Sequence, residues 1–167
     1  MNTNEILHVL QSDKATKSIC GGVLSSDKLP GAISVPCAIV VNLDPSTQSG
    51  SHWVAIYIDA NHSTEYFDPL GMKPPTGPIQ NFLDMHSKSL LISYQKVQGS
   101  LSTACGPHCI FYLLFRCRGL KYKQIMAIYS LHDRVANDFM AVHLVNKRFR
   151  MTAKVFDESF FGSLKSI

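Results

Sequence analysis

Residues 98–118 read Gln-Gly-Ser-Leu-Ser-Thr-Ala-Cys-Gly-Pro-His-Cys-Ile-Phe-Tyr-Leu-Leu-Phe-Arg-Cys-Arg, a small, polar loop that passes into an apolar run. The apolar half must be buried, and as a helix it would place Cys105 at or within its first turn. Pro107 supports that register, because proline is tolerated in a first helical turn and not further in. Unpaired backbone N–H groups gather there, and their partial positive charge favours thiolate over thiol. Cys105 is therefore a candidate nucleophile at the N-terminus of a buried helix, and the rest of the chain must frame that helix.

A length of 167 residues suits a single domain, 1–167, with a core of its own. With 46% hydrophobic and 17% charged residues the composition excludes a disordered or fibrous chain. The longest apolar runs, such as Cys37–Val41, fall far short of a membrane span, so no membrane association is expected. The N-terminal Met-Asn-Thr-Asn-Glu lacks the basic and apolar regions of a signal peptide, which implies an intracellular protein. The five cysteines, at 20, 37, 105, 109 and 117, are odd in number and scattered, as in a reducing compartment rather than a disulfide framework. The net charge of +4 permits contact with nucleic acid without requiring it. Much of the excess is local, in Arg116, Arg118, Lys121 and Lys123 and in Lys147, Arg148 and Arg150.

Taken in order, residues 4–11 predict a short helix capped by Asn4 or Thr3, and 20–36 a Gly/Ser/Pro-rich connection with a turn at 29–31. Strands are expected over 37–43, 52–58 and 65–67, close enough in sequence for an antiparallel meander. After a proline-rich break at 73–78, a helix over 79–86 and a strand over 90–94 lead to the central loop. Further helices are expected over 121–131 and after Asn137, read as a cap, with Phe139, Val142, Val145 and Phe149 along one face. From Met151 the pattern weakens, and an extended or loose tail is expected. The sum is α+β, a small, mostly antiparallel sheet packed with helices.

A thiol protease needs an imidazole to carry the proton, a group to orient it, and donors for the oxyanion. His52 opens one strand of the meander and Asp68 ends another, so neighbouring strands would bring them to the same end of the sheet. Gln98 stands seven residues before Cys105 and can offer a side-chain N–H, with a main-chain N–H near Cys105 as second donor. His108 is too close in sequence to Cys105 to reach it easily, and His62 falls in a polar turn. Glu65 should point elsewhere from its strand, and Asp59 reads as a turn residue.

These residues carry a resemblance. His52-Trp53, then Tyr66-Phe67-Asp68-Pro69-Leu70-Gly71, then Gln98-Gly-Ser-Leu-Ser-Thr-Ala-Cys105-Gly106, with Leu29-Pro30 and Cys37-Ala-Ile-Val upstream, resemble the adenovirus-type (adenain-like) maturation proteases, relatives of the proteases of SUMO and other ubiquitin-like proteins. The resemblance covers about residues 20–120. It implies Cys105 as nucleophile, His52 as base and acid, Asp68 as the residue orienting His52, and Gln98 as oxyanion donor. It also implies a substrate cleft bordered by Trp53 and Gly106, and cleavage after Gly-Gly or Gly-X. Viral or virus-like-element structural precursors would be the substrates, in the host nucleus or the virion. No metal or organic cofactor is required, and activation by DNA or a peptide is carried over as an expectation. The adenovirus enzymes join their activating peptide to a cysteine upstream of the nucleophile, but the corresponding stretch here, Met85–Leu91, has none. A covalently joined activator is therefore not expected.

Other readings compete. A cysteine before an apolar helix is ordinarily core, and Cys20, Cys37, Cys109 and Cys117 are read that way. Cys105 and Cys109 with His108 lack the paired spacing of a zinc motif, and three residues between the cysteines do not make a thioredoxin-like site. A chymotrypsin-like viral cysteine protease would be all-β, against the long helix after Cys105. Within the same enzyme class, a deconjugase of ubiquitin-like proteins would use the same residues. A non-catalytic binding module of this fold is the alternative from another class.

Overall fold

In the computed structural model, which describes residues 1–149, the apolar segments Cys37–Asn42 (β2) and Trp53–Ile58 (β3) are buried at every position. Strands without alternation need cover on both faces, and they have it. They pair antiparallel with each other, and β3 pairs antiparallel with Ser63–Phe67 (β4). Cys20–Ser25 (β1) adds parallel to β2 and Ser89–Ile92 (β5) parallel to β4, giving one five-stranded sheet in the order β1-β2-β3-β4-β5. The expected antiparallel meander is the centre of the sheet, whose two edges are parallel.

One face packs on the helix Pro78–His86, through Ile39, Val54 and Ile56 against Ile79, Phe82 and Leu83. The other face, with Val40, Ala55 and Phe67, carries the larger core and the apolar helix Cys105–Arg116. Thr3–Ser12, Tyr122–Met126 and Arg134–Phe149 pack around that helix, with the four-residue helix Lys14–Lys17 beside them. In chain order the helices are α1 (Thr3–Ser12), α2 (Lys14–Lys17), α3 (Pro78–His86), α4 (Cys105–Arg116), α5 (Tyr122–Met126) and α6 (Arg134–Phe149). No helix among the described residues is long and apolar enough to cross a membrane.

Four local expectations are corrected. Asn2, not Asn4 or Thr3, caps α1: its side chain accepts from the Glu5 N–H at 3.0 Å while Glu5 accepts from the Asn2 N–H at 2.9 Å. The Gly-rich start of 20–36 is strand β1, and glycine is what admits it. A Cβ at Gly21 would stand 2.5 Å from the Cys37 sulfur. The helix expected over 121–131 ends at Met126, where the chain turns toward α6. Asn137 does not cap α6 but lies buried inside it, and Asp133 supplies the capping oxygen to the Ala136 N–H at 2.8 Å. Phe139 is accordingly exposed, and the buried stripe runs through Asp138, Ala141, Val142 and Val145. Arg150 and the tail from Met151 lie outside the described residues.

Gly71 holds the turn after β4, with φ of +71° and its N–H donated to the Asp68 carbonyl at 2.8 Å. A Cβ there would sit 2.7 Å from the Tyr94 carbonyl oxygen. Gly71→Ala is expected to cost at least about 1–3 kcal/mol from the left-handed backbone alone; urea denaturation of the two proteins checks this.

Candidate active site

Antiparallel pairing of β3 and β4, with Ala55 opposite Phe67, brings His52 and Asp68 to one end of the sheet. His52 Nε2 and Asp68 Oδ1 are 2.8 Å apart. Asp68 is buried and its Oδ1 also accepts the Leu70 N–H at 2.7 Å, which fixes the carboxylate before it meets the ring. With Nε2 engaged, the other ring nitrogen is left for Cys105, which lines the same cavity as His52 and whose sulfur stands 4.0 Å from the Thr103 carbonyl oxygen.

Cys105 is the first residue of α4. Ala104 precedes it with no capping side chain, so the first-turn N–H groups keep their positive potential for the cleft. Burial favours the neutral thiol, but the contact with His52 and the N–H groups of Trp53 and Gly106 outweigh it and hold the thiol below the usual value of 9.0. Burial likewise opposes a charged His52, but Asp68 and then Cys105 outweigh it and raise the imidazole to about 9. Each group is thus shifted toward its charged form, the thiol downward and the imidazole upward.

His52, Trp53, Gln98, Ser102, Thr103 and Cys105 line one cavity of about 330 Å³. Gln98 is buried, and its amide N–H₂ donates to the Ser102 carbonyl at 2.6 Å, which leaves a second N–H to offer. Trp53 borders the cavity and donates its indole N–H to the Met1 carbonyl at 3.2 Å. Gly106 lies beneath the cleft, where a Cβ would stand 3.2 Å from Met1 and 3.3 Å from Ile6, so its side is packing and its N–H faces the sulfur. Cys109, one turn on, donates its S–H to the Trp53 carbonyl at 3.3 Å and ties α4 to β3. A second cavity of about 490 Å³ adjoins the first at Met1, Gly50 and Trp53.

The competing residues are engaged elsewhere. Glu65 accepts from Tyr112 and from Arg116 at 2.8 Å, and Asp59 closes its turn through the Asn61 and Ser63 N–H groups. His62 contacts the His86 carbonyl. His108 is completely buried and faces away from Cys105, with Nε2 at 2.7 Å from Asp138. Sequence reasoning missed this second imidazole–carboxylate pair, because reading Asn137 as a cap left Asp138 without a place. Among the described residues no group of three or more His, Cys, Asp or Glu side chains is set to hold a metal ion.

No family model matches the chain. Among curated proteins it is 35% identical over 112 residues to a "SUMO-1 cysteine protease" of African swine fever virus, an overlap of 58% of this chain and 40% of that protein. It is 30% identical over 141 residues to the "Protease" of bovine adenovirus 4, covering 70% of this chain and 66% of the relative. A crystal structure of the African swine fever virus protease aligns with 66% of this chain and 45% of its own, at 28% identity and a TM-score of 0.47. The chain thus spans well under half the length of the swine fever virus relatives.

Alkylation of Cys105 by iodoacetamide reads its ionisation directly. The wild-type rate is expected to titrate below pH 9, and His52→Ala to move the midpoint upward, since burial is then opposed only by the Trp53 and Gly106 N–H groups. Pre-steady-state rates from pH 5 to 10, with the modified peptide located by mass spectrometry, check the direction.

Proposed function

The chain belongs to the cysteine protease family that includes the adenovirus and African swine fever virus proteases, and we propose that it is itself a cysteine endopeptidase working through Cys105, His52 and Asp68. The observation that carries this is the His52 ring, held by Asp68 at 2.8 Å, on the same cavity as Cys105 and Gln98.

The Cys105 thiolate adds to the substrate carbonyl carbon. The oxygen that becomes negative takes hydrogen bonds from the free N–H of Gln98 and from the main-chain N–H of Cys105. His52, held by Asp68, gives its proton to the departing amine as the C–N bond breaks, leaving a thioester. The now neutral ring takes a proton from water, whose hydroxide displaces the sulfur and releases the new carboxylate. No metal or organic cofactor enters these steps.

The substrates are polypeptides cut beside glycine. Support comes from a cleft lined by Gly50, Ser51, Ser100 and Ser102 and walled by Trp53, which suits a main chain with small side chains. The adjoining cavity at Met1, Gly50 and Trp53 takes a further part of the extended chain. Structural precursors of a virus particle are the natural class, since the relatives are viral, and the setting is then the infected cell's nucleus or the virion. The name of the swine fever virus relative favours a second arm, a precursor or conjugate of a ubiquitin-like protein.

Activation by a nucleic acid is part of the proposal. Lys14, Arg118 and Arg148 line one cavity, where Asp13 pairs with both arginines, so cations distant in sequence share one edge. A phosphate backbone would bind there with a strong salt dependence. Fluorescence anisotropy of labelled DNA at low and high salt is expected to give binding that weakens steeply with salt; salt-independent binding would remove this part.

Hydrolysis of a fluorogenic Gly-Gly peptide and of a SUMO precursor tests the main reading. Wild type is expected to cleave the peptide, Cys105→Ala to be inactive, and Gln98→Ala to lose about 100- to 1,000-fold in kcat. Cleavage of the SUMO precursor alone would select the second arm. A wild type that cuts neither, with Cys105 unreactive, would leave a binding module of this fold.

A further inference from the structure

The main chain that carries Gln98 is held from both sides. The Val97 and Gln98 N–H groups both donate to the Pro69 carbonyl, at 2.9 and 3.0 Å, which ties them to the residue after Asp68. From the other side, the start of α6 grips the same segment. Arg134 Nε donates to the Lys96 carbonyl at 3.4 Å, and Asn137 Nδ2 to the Val97 carbonyl at 3.1 Å. Asp138 accepts the Gly99 N–H at 3.1 Å. The peptide units flanking Gln98 are thereby fixed on either side of it.

Asp138 also reaches the nucleophile's helix. Its Oδ1 lies 2.7 Å from His108 Nε2, one turn along α4 from Cys105. His108 Nδ1 faces the Tyr129 hydroxyl at 3.3 Å. One proton arrangement satisfies every member: Tyr129 donates to Nδ1, and Nε2–H and the Gly99 N–H donate to the carboxylate. Burying a carboxylate is costly unless it is fully hydrogen-bonded. A carboxylate can accept N–H groups from two directions, whereas an amide offers a single oxygen and would add an unpaired donor. Gly99 makes the approach feasible, since a Cβ there would stand 2.8 Å from Asp138 Oδ2.

We propose that Asp138 is a positioning residue of the oxyanion hole, bridging the Gly99 peptide to His108 so that the Gln98 amide is held at a fixed place relative to Cys105. The proposal rests on the protease reading. It assigns a role in catalysis to α6, an element beyond the stretch that carries His52, Asp68, Gln98 and Cys105.

The test compares a step that forms an oxyanion with one that does not, in the 167-residue chain. Asp138→Asn removes one of the two acceptors, and Gly99→Ala pushes the carboxylate off the peptide while leaving His108 in place. A peptide aldehyde adds the sulfur and forms a tetrahedral oxyanion; iodoacetamide alkylates the sulfur and forms none. Both variants are expected to lose about tenfold to a hundredfold in kcat and in aldehyde affinity, with KM and alkylation rate within about twofold of wild type. Gln98→Ala in the Asp138→Asn background should add less than it does alone, as for residues acting through one another. Variants with wild-type kcat and aldehyde affinity would overturn the proposal, as would a parallel fall in alkylation and kcat. If Asp138→Asn does not fold, Gly99→Ala decides by the same comparison. A wild type unreactive to both reagents overturns the protease reading itself, and the bridge with it.

Discussion

Helix α4 is buried along ten of its twelve residues, and that burial constrains the rest of the molecule. A helix enclosed this way must be met by apolar surface on nearly all sides, and β3, α1, α5 and α6 supply it. Its N-terminus, though buried, faces a cavity through Cys105. There the backbone N–H groups have no capping side chain and open on a polar cavity. Packing therefore delivers a sulfur and a cluster of donors to one place without any side chain having to hold them. The S–H of Cys109 on the Trp53 carbonyl and the close fit of Gly106 under Met1 and Ile6 keep the helix from sliding along the sheet.

The same burial makes the Cys105–His52 pair necessary. Desolvation pushes the thiols of Cys20, Cys37, Cys109 and Cys117 upward, Cys37 to about 11 and Cys117 to about 12. Cys105 feels the same push and ends on the other side of its ordinary value, because an imidazole held by a buried carboxylate lies within reach. The fold sets the opposing force, and the His52 ring with the Trp53 and Gly106 N–H groups reverses it.

Much of this was legible in the sequence where chemistry and periodicity agreed. The loop-to-helix join at Cys105 and the ends of two buried strands at His52 and Asp68 follow from apolar runs and their polar punctuation. Strand β1 was hidden by its glycines, which read as loop although Gly21 serves close packing on Cys37 and Ile39. The Asp138–His108 bridge was hidden for another reason. Its members lie thirty residues apart on two helices, and with α6 expected to start four residues too late and to bury Phe139, Asp138 had no place in the core. Side chains that act locally in sequence leave a pattern, whereas those that join two helices across a core leave almost none.

The gripping of the Gln98 segment by α6 also has a temporal side. His52, Asp68, Gln98 and Cys105 all precede Arg134 in the chain, so during synthesis they leave the ribosome before the helix that holds that segment in place. On the proposed reading, a nascent chain folded only through α4 would hold Cys105 and His52 with the Gln98 amide not yet fixed, and cleavage would begin only after α6 has docked.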